Sequence, residues 1–287
     1  MKFNRMILVS TLLCFSATTQ IMGQEESGAA GQTFMERVRQ GNFRPFFEAA
    51  YGSGAPKHKS FSQDFAKTGL AEFRLGFSQI EQYRDYVYAI NEGYLFGGFV
   101  SQDLSTGDQA ANEANAKATR FGMGNRLGYG YELGPFMLLP YNYFGIGWSN
   151  IDAENKSALS SDALAIVERY EGNYRFGQDS EAGMKVRIGK ALAVTGGYEF
   201  NVVYPRHLFG KWLGSLMIQS IGYSAIVGFS DAIVDASPLL GPLITFALRN
   251  GVAYVFYWQL REDMNWPFTT ERPLTFEAWK VSASLTF

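Results

Sequence analysis

The strongest pattern along the chain is a period of two. From Arg120 to Glu132, Phe121, Met123, Leu127, Tyr129 and Tyr131 oppose Gly122, Gly124, Arg126, Gly128, Gly130 and Glu132. Such alternation predicts a strand with one apolar and one polar face. The same code recurs upstream. Phe43 to Gly52 sets Phe43, Pro45, Phe47, Ala49 and Tyr51 against Arg44 and Glu48, and Thr68 to Gln79 sets Ala71, Phe73, Leu75 and Phe77 against Glu72 and Arg74. Downstream, Asn173 to Gly189 sets Ala182, Met184, Val186 and Ile188 against Glu181, Lys185 and Arg187, and Leu192 to Val203 sets Val194, Tyr198 and Phe200 against Glu199 and Asn201. Two segments obey it less well. Asp85 to Ser101 puts Glu92 on a face with Tyr94 and Phe96, which suggests a bulge. Phe136 to Ser149 is apolar throughout and contains Pro140, which requires a bulge or a break in the ladder.

Residues 205–262 admit two readings. Leu243 to Leu260 alternates, with Ile244, Phe246, Leu248, Val252, Tyr254, Phe256, Trp258 and Leu260 on one side, and Ser220 to Phe229 alternates more weakly. These are read as two further strands, with a short helix in 206–218 or 230–241. The alternative is a helical hairpin, for which Ser237-Pro238 resembles a helix start. Asn250-Gly251 could also be a hairpin turn. The preferred reading gives about ten strands, joined alternately by long connections (53–67, 102–117, 150–172) and short ones (80–84, 133–135, 190–191). A helix is expected from Ser160 to Tyr170 inside the longest.

The chain closes on Trp279, Val281, Ala283, Leu285 and Phe287, with Ala278, Lys280, Ser282, Ser284 and Thr286 on the opposite face. A final alternating strand ending in Phe287 resembles the last strand of bacterial outer-membrane β-barrels, where that end is the assembly signal. The resemblance implies a transmembrane, antiparallel, up-and-down all-β barrel over 43–287, residence in the outer membrane of a Gram-negative cell, contact with outer-membrane lipid and insertion by the barrel assembly machinery. The N-terminus agrees. Lys2 and Arg5 precede the apolar run Met6 to Phe15, as in a secretory signal, with cleavage expected after Gly23. Residues 24–42 then form a polar periplasmic segment, with a possible helix from Thr33 to Gln40. The rival barrel has eight strands and a helical insertion at 205–262.

Composition sharpens this picture. The chain holds 24 Phe, 16 Tyr and 31 Gly, yet its mean hydropathy is only -0.09. A barrel that alternates lipid-facing and lumen-facing residues averages out in this way. Net charge is -2, which offers nothing to nucleic acid. The one cysteine, Cys14, lies within the signal, so the mature chain carries no disulfide. Tyr51, Tyr86, Tyr88, Tyr129, Tyr131, Trp148, Tyr204, Trp212, Trp258 and Trp279 sit toward strand ends, as interfacial girdles do.

The inward charges form the candidate site: Arg44, Glu48, Glu72, Arg74, Arg126, Glu132, Lys185, Arg187, Glu199, Arg249 and Lys280. Both signs are present, so they are expected to pair across a narrow lumen, because unpaired burial costs several kcal/mol. The other reading is a narrow channel or transporter for a small or amphipathic ligand. A third is a lipid or peptide hydrolase at the rim, drawing on His58, Ser60, Asp64, His207 and Ser215. No catalytic motif surrounds those residues, and two histidines make a poor metal set. No cofactor is expected. The inward glycines Gly122, Gly124, Gly128 and Gly130 are expected to make room for neighbours, and Gly210 and Gly214 to pack a helix. The expected role is non-enzymatic: envelope structure, or partner binding by surface loops.

Overall fold

The computed structural model describes residues 43–61, 65–105 and 115–287. The expected signal at 1–23, the polar segment at 24–42 and Asp64 lie outside them. Eight strands are present among the described residues: β1 (Arg44–Lys57), β2 (Thr68–Arg84), β3 (Val87–Ser101), β4 (Asn115–Leu133), β5 (Phe136–Glu154), β6 (Arg175–Ile188), β7 (Leu192–Val203) and β8 (Leu274–Thr286). Every neighbour pair is antiparallel, and β8 returns to β1, so the sheet closes with no free edge. β8 is the expected final strand. It pairs Trp279 with Tyr198 on one side and Leu285 with Phe47 on the other.

The strand count is eight rather than about ten. Residues 205–262 form two helices, not two strands: α2 (Phe209–Ala236) and α3 (Gly241–Leu260). The reason lies in which residues are buried. On α2 these include Trp212, Ser215, Gln219, Tyr223, Ser230 and Val234, and on α3 Pro242, Thr245, Arg249, Tyr257 and Leu260. Spacings of three, four, seven and eight mark one helical stripe. The bulky residues at every second position of 243–260 supply an alternation that the buried contacts do not follow. Ser237 ends α2 instead of starting a helix, and Pro242 occupies the first turn of α3. α1 (Ser161–Val167) lies in the β5–β6 connection as expected, capped by the Ser160 hydroxyl, which accepts from Ala163 N at 3.3 Å.

α2 is long and apolar enough to cross a membrane, spanning ~42 Å at 1.5 Å per residue. It leaves the long-loop end of β7 and runs down the outside of the barrel. Trp212 packs on Phe176 of β6, Tyr223 meets Asn142 of β5, Asp231 meets Tyr129 of β4, and Arg84, at the short turn after β2, pairs with Asp235 at 3.2 Å. α3 returns beside it and touches β4, β5, β6 and β7. The rest of the outer wall is bare and apolar, with Phe73, Leu75, Leu95, Phe99, Trp279 and Val281 all exposed.

Both irregular strands have physical explanations. The β4–β5 ladder is interrupted between Leu127–Asn142 and Tyr131–Leu138, around Pro140, as its missing N–H requires. β3 contains no bulge near Glu92; its register with β2 runs unbroken from Tyr88 to Ser101. Glu92, Tyr94 and Phe96 share a face because the lumen takes aromatic rings as well as charges.

Candidate functional site

The lumen is packed with side chains. Phe46, Tyr94, Phe96, Tyr141 and Tyr143 form a buried inner cluster, with Tyr94 and Tyr143 stacked at 5.1 Å. Inward glycines make this possible: a Cβ at Gly183 would collide with the Tyr141 hydroxyl, and one at Gly124 with the Tyr143 ring. Over these rings lie cations, Arg126 at 4.4 Å from the Tyr141 centroid and Arg74 at 5.1 Å from that of Tyr94.

The charges meet across the barrel. Arg74 of β2 reaches Glu181 of β6, half the circumference away, at 2.8 Å, and also Glu48 and Glu72 at 2.8 Å each. Arg126 of β4 reaches Glu48 of β1 at 3.1 Å and Glu92 at 2.6 Å. Lys185 of β6 reaches Glu92 of β3 at 2.5 Å. Lys280 of β8 holds Glu181 at 2.6 Å and pairs with Glu199, with Glu72 at 3.5 Å. Arg120 joins Glu199, and Asp179 at 3.2 Å. An eight-stranded barrel is just wide enough for side chains to fill its interior. These pairs occupy that width.

Of the expected inward set, Glu48, Glu72, Arg74, Arg126, Lys185, Glu199 and Lys280 enter this network. Arg44, Glu132 and Arg187 stand at the short-turn mouth, where Arg44 and Arg187 border a cavity of about 210 Å3 and Glu132 accepts from Tyr88 at 2.8 Å. Arg249 is not in the lumen. It sits on α3 outside the wall, donates to Ser230 at 3.1 Å and lies over the Tyr129 ring. Glu92, Arg120 and Asp179 were missed, and Glu181, already set on the polar face of its strand, was left out of the inward set. Three of these could be found by phase alone: Arg120 is in step with Gly122 and Arg126, and Asp179 and Glu181 with Lys185.

At the long-loop end the described residues pack into a crown. Tyr170, after α1, is fully buried and its hydroxyl accepts from Leu274 N at 2.9 Å, while Phe65, Ile151 and Val167 pack beneath. A cavity of about 480 Å3 lies between His58, Arg169, Tyr170, Glu262, Glu271 and Arg272. Its charges are matched: Glu271 pairs with Arg206 at 2.8 Å and Arg169 at 3.6 Å, and Glu262 with Arg272 at 3.6 Å.

Among the described residues, the rim candidates His58, Ser60, His207 and Ser215 do not pair as nucleophile and base. His58 Nε2 donates to Arg272 O at 3.2 Å, and Nδ1 accepts from Ser60 N rather than from a hydroxyl. His207 packs against Phe176 and Trp212, and Ser215 donates to Trp266 O at 2.5 Å beneath the helices. Gly214 receives the Phe268 ring, and the helix-crossing glycine is Gly222, against Phe256.

Burial, followed by the charges of Arg272 and Arg169, lowers the His58 pKa below its ordinary value of about 6.5. A lowered folded pKa favours the folded crown above about pH 6.5. That contribution falls as pH drops through 6.5 towards the folded value. Protonated Nδ1 can no longer accept from Ser60. The protection factors of the Ser60 and Phe61 amides, which take out the intrinsic fall of exchange rate with pH, are therefore expected to drop as pH falls from 6.5 towards the lowered folded value in the native protein and to lose this pH dependence in His58→Gln.

A closed antiparallel barrel with a charged, water-excluding interior and an apolar outer wall defines a class, the transmembrane β-barrel of bacterial outer membranes. No protein-family model matches the chain, and no curated protein matches it. Among solved structures it is similar to Neisserial surface protein A (8% identity, TM-score 0.39, covering 86% of this chain and 97% of that one). It is also similar to Ail, the attachment invasion locus protein of Yersinia pestis (8%, 0.34, 86% and 99%), and to OprG from Pseudomonas aeruginosa (10%, 0.25, 85% and 94%). The class rests on the barrel's own geometry.

Proposed function

We propose that the protein is a non-conducting, non-enzymatic outer-membrane scaffold that presents its long-loop crown to a partner outside the cell. The carrying observation is the set of ion pairs that reach across the lumen, above all Arg74 to Glu181 and Arg126 to Glu48. A permeant solute would have to separate these pairs in a dry interior, where leaving a charge unpartnered costs about 3–5 kcal/mol. The crown supports a binding role because it is anchored on Tyr170 and His58 and offers mixed charge around a cavity of about 480 Å3. In this reading the short turns face the periplasm, with Phe287 at that end for the assembly machinery, and lipid covers the bare wall.

Planar-bilayer recording of the purified protein tests the reading. Flat baselines are expected at all voltages that the bilayer tolerates. Reproducible unit conductance that changes in Lys185→Met would show an open lumen and favour the narrow channel instead.

A further inference from the structure

Charges are matched in the lumen, in the crown and on the outer wall, where Arg84 pairs with Asp235. The short-turn mouth of the barrel departs from this. Arg44 of β1, Arg187 of β6 and Lys190 of the turn after β6 border one cavity of about 210 Å3 there, and Ser78, Ile80 and Thr286 complete its wall. Arg44 is in step with Glu48, Ser78 with Arg74, Arg187 with Lys185 and Thr286 with Lys280, so all four point into the barrel. The cavity is therefore the vestibule of the lumen and not a groove in the lipid-facing wall. Among the described residues, the lumen carboxylates are held by Arg74, Arg120, Arg126, Lys185 and Lys280, and none of the three mouth cations forms an ion pair.

Three cations around one concavity repel one another, and the charges of Arg44 and Arg187 act on each other across it. Glu132 attracts Arg187, yet its carboxylate accepts from the Tyr88 hydroxyl at 2.8 Å instead. The inner end offers no spare anion either. Ser78 donates to Glu92 at 2.7 Å, and Glu92 is already shared by Arg126 and Lys185. What faces the opening is two guanidinium forks and an ammonium beside the Thr286 hydroxyl. Each fork offers paired N–H groups that match two oxygens of an oxyanion. A carboxylate would satisfy one fork; a tetrahedral dianion has oxygens for all three cations. The cavity accommodates a phosphate with space left for water.

We propose that the short-turn mouth binds one phosphate group, its oxygens shared by Arg44, Arg187 and Lys190. A soluble phosphate or phosphomonoester presents this dianion, and so does the headgroup of a phosphomonoester lipid that reaches over the rim. The site lies outside the paired charges of the lumen. It therefore stands whether or not the lumen conducts, and whatever the crown binds.

Calorimetric titration of inorganic phosphate into the full-length protein in neutral detergent, at fixed ionic strength, tests the site. One saturable equivalent is expected. Arg44→Met and Arg187→Met should each weaken binding about tenfold or more, the loss of one charge-assisted contact, and the double variant should abolish it. Lys117→Met removes the same charge at the long-loop end, where Lys117 pairs with Glu154, and should leave the affinity unchanged. Heat-modifiable gel mobility shows which variants are folded. Arg44 is exposed, so its variant reads the site even where Arg187→Met does not fold. Titration in phosphatidylcholine nanodiscs carrying phosphatidic acid, or phosphatidylglycerol at matched surface charge, separates the two sources. A lipid headgroup in the mouth makes phosphatidic acid alone compete with the added phosphate, whereas a site for soluble phosphates is indifferent to the exchange. Absence of saturable binding would overturn the proposal. So would unchanged affinity in Arg44→Met, or equal weakening by Lys117→Met.

Discussion

Arg74→Met should destabilise the folded barrel by about 3–5 kcal/mol, among the largest single-residue effects expected in this molecule. Arg74 is 2% exposed and serves three carboxylates, those of Glu48, Glu72 and Glu181, each at 2.8 Å. Methionine keeps much of the volume but removes every donor. Glu48 retains Arg126, and Glu72 and Glu181 retain Lys280, so the damage is not total. What remains is a cluster of four cations, Arg120, Arg126, Lys185 and Lys280, among six carboxylates with no route to water. Arg44→Met at the short-turn mouth, where the side chain is exposed, should cost less than about 0.5 kcal/mol. Urea unfolding in lipid vesicles, followed by tryptophan fluorescence, measures both. Adding Glu181→Gln to Arg74→Met should recover part of the loss, because it removes the excess negative charge. A cost near that of Arg44→Met would mean that water reaches Arg74.

Replacing 206–270 with a short flexible linker should leave a closed but weakened barrel. Closure does not need the helices, since β7 and β8 pair directly from Leu192–Leu285 to Val203–Leu274. The weakening comes from the outer wall. Without α2 and α3, Asn142, Gln178 and Ser180 face hydrocarbon, and a polar group without partners there costs about 1–3 kcal/mol. The sign of a rescue is informative. Asn142→Leu should stabilise the shortened protein, where this side chain meets lipid. In the full chain the same substitution should destabilise, because it strands the Tyr223 hydroxyl that Asn142 now bonds. The same urea titration reads both backgrounds. Equal signs would mean that the hairpin does not cover this wall.

Strand alternation made most of the barrel legible in the sequence, because each of its faces meets one environment. The outward face of β1, β2 and β8 meets only lipid, so Phe47, Phe73 and Trp279 stand against Glu48, Arg74 and Lys280 with few exceptions. Where an environment is shared, the pattern fails. β5 carries tyrosines inward and apolar residues outward, so both of its faces looked alike. The hairpin, the rival reading of 205–262, ranked second for a related reason. A soluble amphipathic helix is read from its apolar stripe, but in lipid the informative stripe is the polar one. On α2 that stripe is Ser215, Gln219, Tyr223 and Ser230, at spacings of four, four and seven. Sign and phase name seven of the charges that meet in the lumen, Glu48, Glu72, Arg74, Arg126, Lys185, Glu199 and Lys280. Arg249 was misplaced because it was assigned on strand phase, whereas a helical reading puts it beside Thr245 on the buried face of α3.

The central structural claim is a closed eight-stranded barrel with a helical hairpin laid against its lipid-facing wall. A nitroxide scan from residue 209 to 260 in liposomes tests it most directly, reading accessibility to oxygen, which concentrates in hydrocarbon. The predicted profile has a period near 3.6, with maxima at Leu213, Met217, Ile221, Ile244, Leu248 and Val255 and minima at Ser215, Gln219, Tyr223, Thr245 and Arg249. A period of two across 243–260, or accessibility without minima, would contradict it.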